Sequence, residues 1–190
     1  MTLYYYEDAV ISYVIEQWKN ITNNRLGRTI IQKLCYFIKY EGVSLDFRFR
    51  LHHFGPFSQK LFLRMDELKS DDVIKDALDE PERSAYEIGD NALEVMNHFS
   101  KDLGAVKPRI DEVINKLSCF TSPEELELLA TIHYFYYARY KFNKKAPSKE
   151  EIVQETKDVK NKFSKSKIEE TYDQLVEKGF LRTSQALLKH

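Results

Sequence analysis

The chain has 190 residues, 43% of them hydrophobic and 31% charged, with a formal net charge of −1. That balance fits a packed globular protein and excludes both a disordered polyelectrolyte and a uniformly basic coat for nucleic acid. The two cysteines, Cys35 and Cys119, have no CxxC spacing, the start "MTLYYYEDAV" is no secretory leader, and no run of about 18 apolar residues occurs. No zinc site or membrane span is therefore expected, and a cytoplasmic location is the simplest inference.

Tyr6, Val10, Val14 and Trp18 recur at helical spacing and predict a first helix over about Glu7 to Lys19. A second, Arg28 to Glu41, carries Ile30, Ile31, Leu34, Phe37 and Ile38, with Gly42 placed to end it. "VSLDFRFRLH" then switches to a period of two, with Leu45, Phe47, Phe49 and Leu51 on one face and Asp46, Arg48, Arg50 and His52 on the other. Gly55-Pro56 is expected to stop this strand, with Pro56 in the first turn of a helix bearing Phe57, Leu61, Met65 and Leu68. Asp71 to Leu78 reads as a short acidic helix or turn. Ala85 to Ile88 reads as a second strand able to pair with the first. A helix from about Asp90 to Leu103 closes at Gly104, and another covers Pro108 to Leu117.

"SPEE" (Ser122 to Glu125) and "SKEE" (Ser148 to Glu151) are capping boxes that each start a helix. Ser164 or Ser166 starts a third, with Ile168, Tyr172, Leu175 and Val176 as its apolar stripe, Gly179 as its stop and Phe180-Leu181 as a short strand after it. The expected fold is mainly α with short β-hairpin strands and winged-helix-like helical domains. Two modules are expected, residues 1–118 and 119–190, divided near "LSCFTSP".

Charge is segregated along the chain. Arg25 to Arg64 holds eight basic and two acidic residues, Asp66 to Glu94 three and eleven, and Arg139 to Lys167 ten and four. The C-terminal order of helix, short helix, turn and third helix resembles a helix-turn-helix unit. On that reading Lys165 and Lys167, with Glu170 and Thr171, would face a DNA groove, and Lys160 and Lys162 would meet phosphate. Glu169, Glu170 and Asp173 on the same helix weigh against it. Arg48 and Arg50 form a second basic edge, with His52, for an anionic partner.

The run "HYFYYARYKF" covers all sides of a helix with aromatic rings. Tyr136, Tyr137 and Tyr140 are therefore candidates for a protein interface or homodimer contact, with intramolecular packing as the alternative. Catalytic signals are weak. Adjacent His52 and His53 point to opposite faces of a strand, no HExxH or glycine-rich phosphate loop occurs, and Ser58 lacks a nucleophile-elbow context. No catalytic, cofactor-binding or metal-binding residue is assigned.

"GRTIIQKLCYFIKYEG" followed by "FRFRLHHFGPFSQKL" resembles the YwgA-like proteins and the related Panacea group, which includes SocA-like antitoxins. The matching residues are Gln32, Lys33, Leu34, Tyr36 and Phe37, then His53, Gly55, Pro56, Phe57, Ser58 and Leu61. The resemblance covers about Gly27 to Asp72 and implies a small, mostly helical, non-enzymatic module. For Panacea members it implies toxin neutralisation or presentation of a partner to a protease. His53, Gly55 and Pro56 join the three tyrosines as candidate protein-interface residues. The helices from Ser122 onward lie outside it. The expected function is a non-enzymatic, winged-helix-type regulator that binds nucleic acid. An antitoxin-like or protease-adaptor interaction module is the alternative, and an enzyme ranks third.

Overall fold

The computed structural model describes residues 3–24, 26–77 and 85–181. Among them are eight helices and two short hairpins: α1 (Tyr6–Thr22), α2 (Arg28–Tyr40), β1 (Arg50–His52), β2 (Gly55–Phe57), α3 (Gln59–Ser70), β3 (Ile74–Asp76), β4 (Tyr86–Ile88), α4 (Ala92–His98), α5 (Ser100–Leu117), α6 (Pro123–Asn143), α7 (Lys149–Val159) and α8 (Lys165–Glu177). The expectation of a mainly α chain with short hairpins holds. No described helix is long and apolar enough to cross a membrane. The chain forms two compact units: residues 1–50 with 57–123, and residues 51–56 with 124–190.

In the first unit, α1 packs on α2, α4 and α5, and α2 packs on α3 and α5. The core comes from Val10, Ile11, Val14, Ile15 and Trp18 of α1, all but buried, and from α2, where every residue from Ile30 to Ile38 is buried. A helix apolar over so wide an arc has to lie inside, and each such Ile, Leu or Phe contributes about 1.5–3 kcal/mol on burial. The helix ends follow local chemistry. Gly42 (φ +99°) takes the left-handed position after α2, its N–H donates to the Lys39 carbonyl, and that of Val43 donates to Ile38. This is the two-bond closure that glycine permits. Gly179 (φ +76°) closes α8 in the same way, with the Phe180 N–H on the Leu175 carbonyl at 2.9 Å. In the second unit α7 and α8 pack together, and α7 opens on the predicted capping box, Ser148 with Glu151.

Several expected elements are corrected. The segment 43–49 alternates between buried and exposed residues as expected, but pairs with no strand among the described residues; only Arg50–His52 pairs, and with β2. Gly55-Pro56 therefore sits inside a strand rather than opening a helix. A two-stranded ribbon leaves each strand an edge, where a proline without an N–H is tolerated. The helix starts later, at Gln59, with the Ser58 hydroxyl accepting from the Leu61 N–H. Within Asp71 to Leu78, expected as a short acidic helix or turn, Asp71 and Asp72 form a turn, β3 follows, and Leu78 lies outside the described residues; β3 takes β4 in antiparallel register, Ile74 opposite Ile88 and Asp76 opposite Tyr86. Gly104 does not close a helix. The break falls at Phe99, and α5 runs through both Gly104 and Pro108. Gly104 stands four positions before Pro108, where a proline ring crowds the carbonyl, and a Cβ added to it would meet nothing within 4 Å, so the position faces open space. Phe180 and Leu181 are buried but form no strand.

Candidate binding cleft

The family-like motif has a direct physical meaning in the first unit. Buried Gln32 of α2 grips the backbone of buried Ser58 from both sides: its amide N–H donates to the Ser58 carbonyl at 3.0 Å, and its amide oxygen accepts from the Ser58 N–H at 2.9 Å. Ser58 is thereby fixed at the point where β2 ends and α3 begins. Tyr36 packs edge-on against Phe37 and Phe49. The motif residues thus hold the extended segment and the start of α3 against α2.

Beside that segment lies a cleft of about 510 Å³ lined by Tyr5, Glu7, Asp8, Asp46, Phe47, Lys60, Leu63, Arg64 and Glu67. Its floor is an ion-pair cluster. Asp8, wholly buried at the third position of α1, accepts from the Tyr5 N–H at 2.7 Å and from the Arg64 guanidinium at 2.8 and 2.6 Å. Arg64 also pairs with Glu67, donates to the Leu3 carbonyl at 3.2 Å and lies over the Tyr5 ring. The Asp8 hydrogen bonds, followed by Glu67, hold the Arg64 guanidinium above its ordinary value against its partial burial. A bidentate pair of this kind is the strong form of the interaction. At the rim, Lys60 Nζ is 2.5 Å from Asp46 Oδ2, which lowers the Asp46 carboxyl and raises the Lys60 amine, and the Asp46 N–H donates to Glu7 Oε1 at 3.0 Å. None of these residues stood out in the sequence. The one local signal was an acid placed three residues after Tyr5, the N-cap of α1.

The residues that sequence reasoning singled out are dispersed. Lys160 is buried in the second unit, 6% exposed. Its Nζ donates to Glu127 Oε1 at 2.6 Å and to the His53 carbonyl, so that amine is consumed inside the fold. Lys162 lies 3.2 Å from the other oxygen of Glu127, itself 3% exposed. Lys165 and Lys167 stand beside Glu169 and Glu170 on their own helix, and Thr171 is buried. Arg48 and Arg50 are exposed. Tyr136 is buried, Tyr137 exposed, and Tyr140 half-buried with its ring parallel to that of Tyr136. His53 is exposed while Gly55 and Pro56 are buried.

Two further buried groups bear on chemistry. Burial alone pushes His133 of α6 down to about 3, leaving a neutral imidazole at ordinary pH. Burial pushes the Cys35 thiol up to about 12, which makes it an inert core residue. Among the described residues no group of His, Cys, Asp or Glu could hold a metal ion.

No protein-family model matches the chain. Over 161 residues it is 29% identical to a protein of Thermus aquaticus named DNA ADP-ribosyl glycohydrolase, covering 83% of this chain and 43% of that protein. Over 113 residues it is 26% identical to the Bacillus subtilis protein named "Uncharacterized protein YwgA", covering 58% of this chain and 65% of YwgA. The chain thus spans less than two thirds of either relative. The first likeness, to a protein named as an enzyme, overturns the expectation of a non-enzymatic regulator that binds nucleic acid. That expectation rested on the helix-turn-helix-like order, the basic stretches, the resemblance and the lack of contiguous catalytic motifs, none of which tests directly for an enzyme.

Proposed function

We propose that this chain serves the hydrolytic removal of ADP-ribose from DNA, as a unit of the kind found within a DNA ADP-ribosyl glycohydrolase. The observation that carries this reading is the 29% identity running through 83% of the chain. Related stretches make up 65% of YwgA but only 43% of the hydrolase, which supports a unit used in proteins of different length.

In such a reaction water adds to the anomeric carbon of the ribose while the bond to DNA breaks and the nucleic acid leaves with a proton. The transition state at that carbon is oxocarbenium-like. What this chain offers is a cleft lined by carboxylates, cations and the rings of Tyr5 and Phe47, between α1, α3 and the segment 43–49. The test uses a labelled single-stranded oligonucleotide bearing one ADP-ribose group and its unmodified twin. Mass spectrometry follows release of ADP-ribose, and fluorescence anisotropy compares binding of the two. Release, or preference for the modified strand, supports the proposal. Neither release nor preference overturns it.

A further inference from the structure

The last two turns of α6 add no buried residue to the second unit. From Tyr137 to Lys145 every residue is exposed except the half-buried Tyr140, and Phe142 is 88% exposed, the most exposed of the large hydrophobic residues described. Tyr137 has one ring face on His133, with the two rings near parallel, whereas Phe142 makes no ring contact among the described residues. Lys141 precedes this ring, and Lys144 and Lys145 follow within one turn's length of chain. All three are exposed and none is in an ion pair among the described residues. Elsewhere in this unit Lys149, Lys160, Lys162, Lys165 and Lys167 are each paired with a carboxylate.

The carboxylates nearest to this stretch lie on α7. Glu155 is 3.1 Å from Arg139. Glu151 accepts the Ser148 N–H at 2.9 Å, and its hydrogen bonds with Ser148, then Arg139 and Lys145, hold it below the ordinary carboxylate value. Glu150 is exposed beside it. The four cations from Arg139 to Lys145 thus meet three carboxylates, and the surplus positive charge sits at the end of α6 and in the turn after it. The dipole of α6 accounts for a cation in its last turn but not for the ring next to it. An exposed aromatic face between cations suits a single strand of nucleic acid, whose bases stack on the ring and whose phosphates meet the amines. A membrane surface would ask for a broad apolar face instead. We infer that the end of α6 holds a single strand of DNA, with Phe142 stacked on a base and Lys141, Lys144 and Lys145 on the phosphates beside it. The contact is indifferent to base sequence, because every base offers a face and a lysine on a phosphate reads none. The choice of DNA among polyanions rests on the reaction proposed above.

The probe is a fluorescein-labelled, unmodified oligothymidine titrated into the full chain at low salt and followed by fluorescence anisotropy. Binding is expected, weakening with salt along a log–log slope of about −2, from three lysine–phosphate contacts at about −0.7 each on a single strand. Phe142→Ala is expected to weaken binding by about five- to hundredfold, the effect of losing one stacked base, and Phe142→Trp to keep it. An abasic strand of the same length is expected to bind the parent and Phe142→Ala equally, at the weaker level. Replacing the three lysines by glutamine should flatten the salt slope toward zero. All four positions are exposed, and circular dichroism checks that each variant folds. No binding at low salt overturns the inference. So does an unchanged Phe142→Ala, a parent that binds the abasic strand as tightly as oligothymidine, or a duplex bound as tightly as the single strand. Binding to phosphatidylserine vesicles without binding to the oligonucleotide overturns it in favour of a membrane. Because the strand carries no ADP-ribose, the two proposals fail separately. Binding that depends on Phe142 without hydrolysis or preference refutes only the reaction, and hydrolysis with binding indifferent to Phe142 refutes only this contact.

Discussion

Replacing Lys160 by methionine tests the buried pair of the second unit. Lys160 and Glu127 are 6% and 3% exposed and 2.6 Å apart. Removing one partner of such a pair costs about 3–5 kcal/mol, because the charge left behind is buried without compensation. Lys162 remains 3.2 Å from Glu127 Oε2, so the loss should fall near the lower end, about 3 kcal/mol. The double variant Lys160→Met/Glu127→Leu removes both charges and keeps the volume. It should recover about 2 kcal/mol of that loss, the remainder being the His53 carbonyl left without its donor. The sole tryptophan, Trp18, belongs to the first unit, so its fluorescence is the wrong reporter. Hydrogen exchange at the α6 and α7 amides reads the second unit directly. A loss below about 1 kcal/mol for Lys160→Met, or a double variant less stable than the single, would refute the reasoning.

Three further outcomes are expected. His133 is held near 3 in the folded chain and returns to about 6.5 when unfolded, so as pH falls the unfolded state takes up the proton first. Its contribution is complete above about 6.5 and is lost progressively toward 3, amounting to about 1.4 kcal/mol at pH 5.5. His133→Phe should show a smaller drop in α6 protection between pH 7.5 and 5.5 than the parent, by about that amount. Gln32→Ala strands both the N–H and the C=O of Ser58 in a buried setting and should cost about 2–5 kcal/mol, read from the urea midpoint of Trp18 fluorescence. Gly89→Ala would set a methyl 2.1 Å from the Asp72 carbonyl oxygen, a backbone atom that cannot swing aside. A loss of at least about 2 kcal/mol is expected by the same assay, and an unchanged midpoint would show that the β3–β4 hairpin moves more freely than its geometry allows.

The helices were legible wherever their ends carry their own chemistry. Ser148 and Glu151 mark the start of α7, and Gly42 and Gly179 the left-handed exits of α2 and α8; these signals act within a few residues and need no tertiary context. The hairpins were not legible in the same way. β2 and β3 are three residues each, too short for a period of two to register, and β3 lies in an acidic stretch that looks like a turn. The cleft was hidden for a different reason. Asp8 and Arg64 are 56 positions apart, and neither has a neighbour in sequence that announces the pair. Lys160 misled by the converse effect: a lysine in a basic run reads as a surface cation, and only the fold supplies Glu127, 33 positions earlier, to bury it.

The course of the chain through its two units has a practical consequence for dissecting the protein. Because residues 51–56 belong with 124–190, the covalent boundary is crossed three times, and no single cut separates the units cleanly. A fragment beginning at residue 124 would lack the His53 carbonyl, leaving the Lys160 amine one acceptor short, and a fragment ending at 123 would carry β1 and β2 without the helices that 51–56 cluster with. Faithful halves would require a circular permutation or a grafted hairpin. Failure of simple truncations would report on chain threading and say nothing about the intrinsic stability of either unit.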